Sequence, residues 1–249
     1  MYLDKFDLTG QTAFVTGAGR GIGLCAAQAL REAGARVILS DIDATLLQQA
    51  KAALGEVETV VLDITDPAAV AAAARDAGPV DILIANAGIA WPDTGAEDMS
   101  DEAWRKVIDV DLNGAYWSCR EFGRAMLARG KGSIVTVGSM SGLISNKPQR
   151  QVHYNAAKAG VHHMTKSLAG EWAARGVRVN SVAPTYVDTP MSSGAFDNPK
   201  LFPVWMEMTP MGRVARPDEI ASAILFLACD AASAITGSIL VVDCGYTIW

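Results

Sequence analysis

Seven short apolar runs punctuate the chain with little polar alternation: "TAFVT" (12–16), "ARVILS" (35–40), "VETVVL" (57–62), "DILIAN" (81–86), "GSIVTVGS" (132–139), "VRVNSVA" (177–183) and "SILVVD" (238–243). An alternating strand keeps one face wet, whereas a strand that is apolar throughout must be covered on both sides. Between the runs lie longer, alanine-rich stretches of helical period, at about 22–33, 46–54 and 67–77, a long region ending near 129, the stretch around 154, and one after Pro217. Strand and helix in alternation give parallel strands joined by helical crossovers. The pattern therefore predicts one α/β domain, residues 1–249, built as a doubly wound parallel sheet with helices on both faces. Half of the residues are hydrophobic, enough for such a core. Residues 186–214 are rich in Pro, Met and aromatics without a clear period, and a segment of this kind is expected to lie over a site as a lid.

Several partners are excluded at this level. The net charge is −6 and no block of Lys or Arg exists to bind nucleic acid. No apolar run approaches a membrane span, and the opening "MYLDKFDLTGQ" is too polar for a signal peptide, so a cytoplasmic location is expected. Four scattered cysteines, without a CxxC, are expected to be reduced core residues. His162 and His163 are adjacent on a helix and point in different directions, so no active-site metal is expected.

The first run leads directly into "TGAGRGIG" (16–23) and then into a helix. Gly17, Gly21 and Gly23 allow a tight turn and a close backbone approach to a pyrophosphate at the helix N-terminus, where free N–H groups and the helix dipole favour anions. The strand–loop–helix context is what gives a glycine pattern this meaning. The second run ends in "ILSDID", placing Asp41 eighteen residues beyond Gly23. A carboxylate there accepts hydrogen bonds from ribose hydroxyls and repels a 2′-phosphate, since like charges near 4 Å cost on the order of 4 kcal/mol at partial burial. NAD is expected over NADP. Arg20, a basic residue in the loop, argues the other way.

"HYNAAK" (153–158) sets Tyr154 and Lys158 one turn apart on one helix face. Alone, the pair reads first as a half-buried aromatic beside a solvated lysine. A phenol titrates near 10, so acting as a base near neutrality needs a shift of about three units, or about 4 kcal/mol. A neighbouring ammonium and a positive nicotinamide both favour the phenolate.

"TGAGRGIG", "NAG" (86–88), "GSMSG" (138–142) and "YNAAK" (154–158), in this order, resemble the short-chain dehydrogenase/reductase family, a single-domain Rossmann-type fold, over essentially the whole chain. "FGRAML", "MTPMGR" and "VDCGY" are similar to its polyol dehydrogenases. The resemblance implies that Tyr154 is the catalytic acid/base, that Lys158 sets its pKa and binds the nicotinamide ribose, and that Ser139 orients the substrate oxygen, with Ser141 the competing serine. It implies cofactor contacts at Gly17, Arg20, Gly21, Ile22 and Gly23, at Asp41 and Ile42, and at Asp63 and Ile64 beside the adenine. Asn86, Ala87 and Gly88 would follow the adenosine and diphosphate, and Pro184, Val187 and Thr189 the carboxamide end, alongside Tyr154 and Lys158. Two departures stand out. Asp111 occupies the position of a catalytic Asn that holds a relay water, and Pro184-Thr185 replaces Pro-Gly. The family usually forms homotetramers, and the carboxylate of Trp249 is a candidate for a structural metal site near a symmetry axis.

Ser139, Ser141, Asn146, Gln149, Gln151 and His153 are expected around Tyr154, where they suit several substrate hydroxyls. Trp91, Leu143, Met191, Phe202, Trp205 and Met206 form either an apolar wall or core and interface. The expectation is an NAD-dependent oxidoreductase interconverting a secondary alcohol (polyol, sugar alcohol or diol) and its ketone. A reductase of cyclic or acyl-carrier ketones, and a nucleotide-sensing binding protein, are the alternatives.

Overall fold

A computed structural model describes all 249 residues. The seven runs form seven strands: β1 (Thr12–Thr16), β2 (Arg36–Asp41), β3 (Glu58–Val61), β4 (Ile82–Ala85), β5 (Gly132–Val137), β6 (Val177–Pro184) and β7 (Ile239–Val242). All pairings are parallel, in the order β3-β2-β1-β4-β5-β6-β7. The chain winds outward from β1 to β3 and returns to β4 on the other side of β1. This reversal opens a crevice at the carboxyl ends of β1 and β4.

Helices α1 (Gly21–Glu32), α2 (Ala44–Leu54) and α9 (Pro217–Ala228) cover one face of the sheet; α3 (Pro67–Asp76), α5 (Ala115–Arg129) and α6 (Val152–Trp172) cover the other. The two cores follow the strand pleat. Ala13, Val15, Ile82 and Ile84 pack with Leu30, Leu47 and Ile224, while Phe14 and Leu83 pack with Val70, Phe122 and Met126. Strands apolar on both faces thus have both faces buried, as their composition requires. Side-chain caps set the helix starts: Asp43 accepts from the amides of Thr45 and Leu46, Asp66 from those of Ala68 and Ala69, and Ser100 from that of Ala103. Each cap contributes about 1 kcal/mol.

The long helical region ending at Arg129 has an internal irregularity. Helix α4 (Asp101–Ile108) passes into α5 through a π-helical turn, Asp109–Gly114. Such turns carry an extra residue and re-aim side chains. Here Asp111 turns inward and is buried, while Asn113 bonds Asp109 at 2.8 Å on the outside. Gly114 permits the turn to lie on Ile64, whose Cδ1 would be 2.6 Å from any β-carbon there.

After β6, residues 186–214 carry two short helices, α7 (Ser193–Phe196) and α8 (Phe202–Met208), and an isolated bridge joins Val187 to Ala215. No helix is long and apolar enough to cross a membrane.

Candidate active site

At the crevice, the loop after β1 is as tight as glycine allows. A β-carbon on Gly23 would lie 2.3 Å from the Gly17 carbonyl oxygen, and one on Gly17 would lie 2.7 Å from Ala87 Cα. Gly17 and Gly21 also have left-handed φ of 63° and 59°. Arg20, exposed, precedes α1 in extended conformation and makes no side-chain cap, so the first amides of α1 stay open toward the crevice. A β-carbon on Gly21 would reach Thr189 at 3.4 Å, which places Thr189 across the loop. This cradle fits a dinucleotide phosphate.

Asp41 ends β2 with its carboxylate over the loop, where Oδ2 accepts the Gly19 amide at 3.0 Å and Oδ1 the Asp43 amide at 3.1 Å. Gly19 is a contact that the motif reading missed. Its β-carbon would sit 2.9 Å from Asp41 Oδ2. Ile42 is exposed beside it. Asp63 is exposed at the end of β3, and hydrogen bonds from the Thr65 hydroxyl and amide hold its carboxyl below the usual range. Ile64 is buried against Gly114.

Asn86 spends its amide on the loop itself, donating to the carbonyls of Thr16 and Gly17 at 2.9 and 3.0 Å. The Thr16 hydroxyl in turn accepts the amides of Asn86 and Ala87. The pair ties the glycine loop to β4, a long-range clasp invisible in the motifs. Gly88 leaves room for the acid–base cluster, since its β-carbon would meet Asp111 Oδ1 at 3.2 Å and Lys158 Nζ at 3.3 Å.

Helix α6 presents Tyr154 and Lys158 on one face, with Lys158 Nζ 5.5 Å from the phenol ring centroid. Lys158 is buried, at 4% exposed; its ammonium donates to the Val137 carbonyl at 3.1 Å and faces Asp111 Oδ2 at 3.7 Å. Asp111 is 1% exposed, and its Oδ1 accepts the Ile89 amide at 2.7 Å. Burial pushes the Asp111 carboxyl up, against the pull of the Lys158 ammonium and the Ile89 N–H. Burial would lower Lys158, but Asp111 and Tyr154 outweigh it and hold the ammonium above its ordinary value. The Tyr154 phenol is raised rather than lowered. Desolvation is the largest cause; Lys158 acts in the expected downward sense, and the Asp111 charge adds to the rise. A positive charge bound beside the phenol would act in the same downward sense as Lys158.

Ser139 and Ser141 take different parts. Ser139 lies in extended backbone at the end of β5, close enough for its hydroxyl to favour the Tyr154 phenolate, and its Oγ accepts the Ser141 amide at 3.1 Å. With that lone pair occupied, the Ser139 proton is free for the phenol or a substrate oxygen. The Ser141 hydroxyl accepts from Gln151 Nε2 at 3.3 Å. Behind them His162, absent from the sequence reading of the site, accepts the Ser139 amide at Nε2, 3.4 Å away. Only glycine at 138 lets the ring reach, because a β-carbon would lie 2.1 Å from Nε2. Burial and the charges of Lys158 and Lys166 pull His162 down to about 4, so it is a neutral acceptor.

The expected mouth is partly internal scaffold. Asn146 and Gln149 donate to the Tyr186 hydroxyl at 3.2 and 2.7 Å, Gln149 accepts from Trp205 Nε1 at 3.0 Å, and Gln151 donates to Asn146 Oδ1 at 3.1 Å. Tyr186 stacks on Trp205 with centroids 3.6 Å apart, which decides Trp205 for the core, as the buried anchor of α8. His153 is wholly buried and not at the mouth. Pro184 ends β6, Val187 is buried beyond it, and the Thr185 hydroxyl is buried without a protein partner.

Residues 17–247 match the family model described as enoyl-(acyl carrier protein) reductase. The chain is 49% identical over 255 residues to galactitol 2-dehydrogenase of Rhizobium johnstonii, covering 100% of this chain and 99% of that one. It is 50% identical over 253 residues to the L-tagatose-forming galactitol 2-dehydrogenase of Cereibacter sphaeroides, with the same coverage. The crystal structure of gox2181 superposes with a TM-score of 0.98 at 48% identity, over 100% of both chains. A short-chain type dehydrogenase/reductase from Mycobacterium marinum does so with a TM-score of 0.93 at 37% identity, also over 100% of both. A glycine cradle at the switch point, a Tyr–Lys pair on α6 and relatives of this identity along the full chain have one reading: the protein is an oxidoreductase of the short-chain dehydrogenase/reductase family.

Proposed function

We propose that the protein is an NAD-dependent dehydrogenase that interconverts a secondary alcohol of a polyol, sugar alcohol or diol with the ketone. The observation that carries the reading is the grouping of Ser139, Tyr154 and Lys158 beyond the ends of β4 and β5, next to the cradle around Gly17, Gly21 and Gly23. Bound NAD supplies the hydride acceptor for alcohol oxidation, and its reduced form the donor for the reverse. Tyr154 takes the proton of the substrate hydroxyl, Ser139 donates to the substrate oxygen, and Lys158, fixed by the Val137 carbonyl, stabilises the phenolate. Asp111 holds the relay water that the family's Asn would hold.

In this reading Asp41 and Ile42 border the adenosine ribose, Asp63 and Ile64 the adenine, and Asn86 and Ala87 brace the diphosphate side, with Gly88 beside them. Pro184, Val187 and Thr189 flank the carboxamide. The Asp41 carboxylate, anchored by two amides, is a fixed negative charge that supports NAD over NADP. Ser141 and Asn146 keep donors after their internal bonds are counted, which suits a substrate with several hydroxyls. The galactitol-oxidising relatives point the same way.

The test is NADH formation from NAD⁺, and NADPH formation from NADP⁺, across hexitols, pentitols, vicinal diols and simple secondary alcohols. NAD-linked oxidation of a polyol is expected, with Tyr154→Phe losing at least about 10²-fold while still binding NADH. Asp41→Ser should narrow the preference for NAD. Ketone reduction without oxidation of any alcohol would overturn the assignment.

A further inference from the structure

The lid expected at residues 186–214 is tied to Ser139 by an unbroken run of hydrogen bonds. Trp205 of α8 donates from Nε1 to Gln149 Oε1 at 3.0 Å. Gln149 Nε2 donates to the Tyr186 hydroxyl at 2.7 Å, and Asn146 Nδ2 to the same oxygen at 3.2 Å. Gln151 Nε2 shares its two protons among three oxygens, Asn146 Oδ1 and Asn155 Oδ1 at 3.1 Å and Ser141 Oγ at 3.3 Å. The Ser141 amide completes the run by donating to Ser139 Oγ at 3.1 Å.

The polarity of the run is set at its α8 end. An indole N–H only donates, so Gln149 must turn its oxygen to Trp205 and its NH₂ to Tyr186. That first link is dry, with Trp205 4% and Gln149 9% exposed, and a buried N–H left without its acceptor is costly. The Tyr186 and Trp205 rings lie within 7° of parallel, which holds the two ends of the link in register. Asn146, Gln149 and Gln151 all belong to the segment between Ser141 and α6. Arg150 fastens the same segment to Asp93, from its amide at 3.1 Å and its Nε at 3.0 Å, so α8 holds one side of it and the chain after β4 the other.

We propose that Trp205 is a positioning residue: from the lid helix, through Gln149, Tyr186, Asn146 and Gln151, it holds the Ser139–Ser141 turn in the geometry that aims the Ser139 hydroxyl at the substrate oxygen. Buried hydrogen bonds in series act as a unit, and losing one link loosens the others. The inference rests on the reading of Ser139 as the group that orients the substrate.

Trp205→Phe keeps an aromatic ring on Tyr186 and removes the N–H. It should lower kcat/KM for the alcohol about tenfold and leave the KM for NAD unchanged. Gln151→Leu cuts the run at its other end and should cost a similar factor. The double variant should lose less than about twofold beyond either single one, because both changes break one unit. Losses that multiply, or a Trp205→Phe enzyme with the parent's kcat/KM, overturn the proposal, with NADH binding used to verify that each variant is folded. A second measurement needs no turnover. Of the six tryptophan indole signals in a ¹H–¹⁵N spectrum, the one missing from Trp205→Phe belongs to Trp205. Asn146→Leu, which cuts the run beyond Tyr186, should speed hydrogen exchange of that indole proton at least about threefold, and an unchanged rate overturns the proposal. An inactive wild-type protein whose indole responds in this way would refute the dehydrogenase reading and leave the tie between α8 and the serine turn standing.

Discussion

Beside burial, which is the largest influence on both groups, one carboxylate, Asp111, acts on each of the other two members of the proton-transfer cluster. It raises both Lys158 and Tyr154, and a raised phenol is ionised only at higher pH. Replacing Asp111 with Asn removes that charge, so the acid limb of alcohol oxidation, which needs the phenolate, should move to lower pH. The pH dependence of kcat/KM for the two proteins checks this, and an unmoved limb would mean that Asp111 is screened from Tyr154. His162 acts on stability. Its value falls from 6.5 unfolded to about 4 folded, so between these values the unfolded chain binds more protons and stability drops as pH falls. The loss is about 3 kcal/mol from pH 6.5 to 4. Urea midpoints measured across that window should fall less steeply in His162→Gln than in the parent.

At the scale of elements, the strands are held by apolar burial, but α9 has a specific pin. Arg178 on β6 donates to the carbonyls of Leu227, Ala228 and Cys229 at the end of α9, and to Ser133 on β5. The carbonyls of the last turn have no partner within the helix, so the guanidinium, on the α9 face of β6, serves as its C-terminal cap. Arg178→Met should cost about 3 kcal/mol in urea unfolding while leaving the kcat of folded protein unchanged. The π turn at Asp109–Gly114 belongs to the same scale. By adding a residue to one helical turn it rotates Asp111 inward against Lys158 and leaves Asn113 outside.

In the whole molecule, the edge strand β7 and the tail leave apolar surface open, with Ile248 66% and Trp249 84% exposed in the tail and Val241 exposed on β7. Trp104 and Tyr116 expose a second apolar area at α4 and α5. An unpaired edge and apolar areas of this kind suit burial against another surface, and the homotetramer is a proposal that the tail puts to the test. Removing Ile248 and Trp249 should lower the mass measured by light scattering, and an unchanged mass would take the tail out of the interface.

The sequence by itself determined the seven parallel strands, the glycine cradle and the Tyr154–Lys158 pair. Each is written in neighbouring residues: continuous apolar runs need two covers, glycines mark a backbone conformation, and a spacing of four shares a helix face. It also marked Asp111 and Thr185 as departures from the family. The tertiary structure alone decided what those residues meet. The burial of His153, the Asn86 clasp on the loop, the Ser139–His162 contact through Gly138 and the capture of Gln149 and Trp205 by Tyr186 join positions far apart in the chain. Local pattern records which face a side chain occupies. Its partner on that face depends on how the layers pack, and so does the balance of desolvation and charge that raises the Tyr154 phenol.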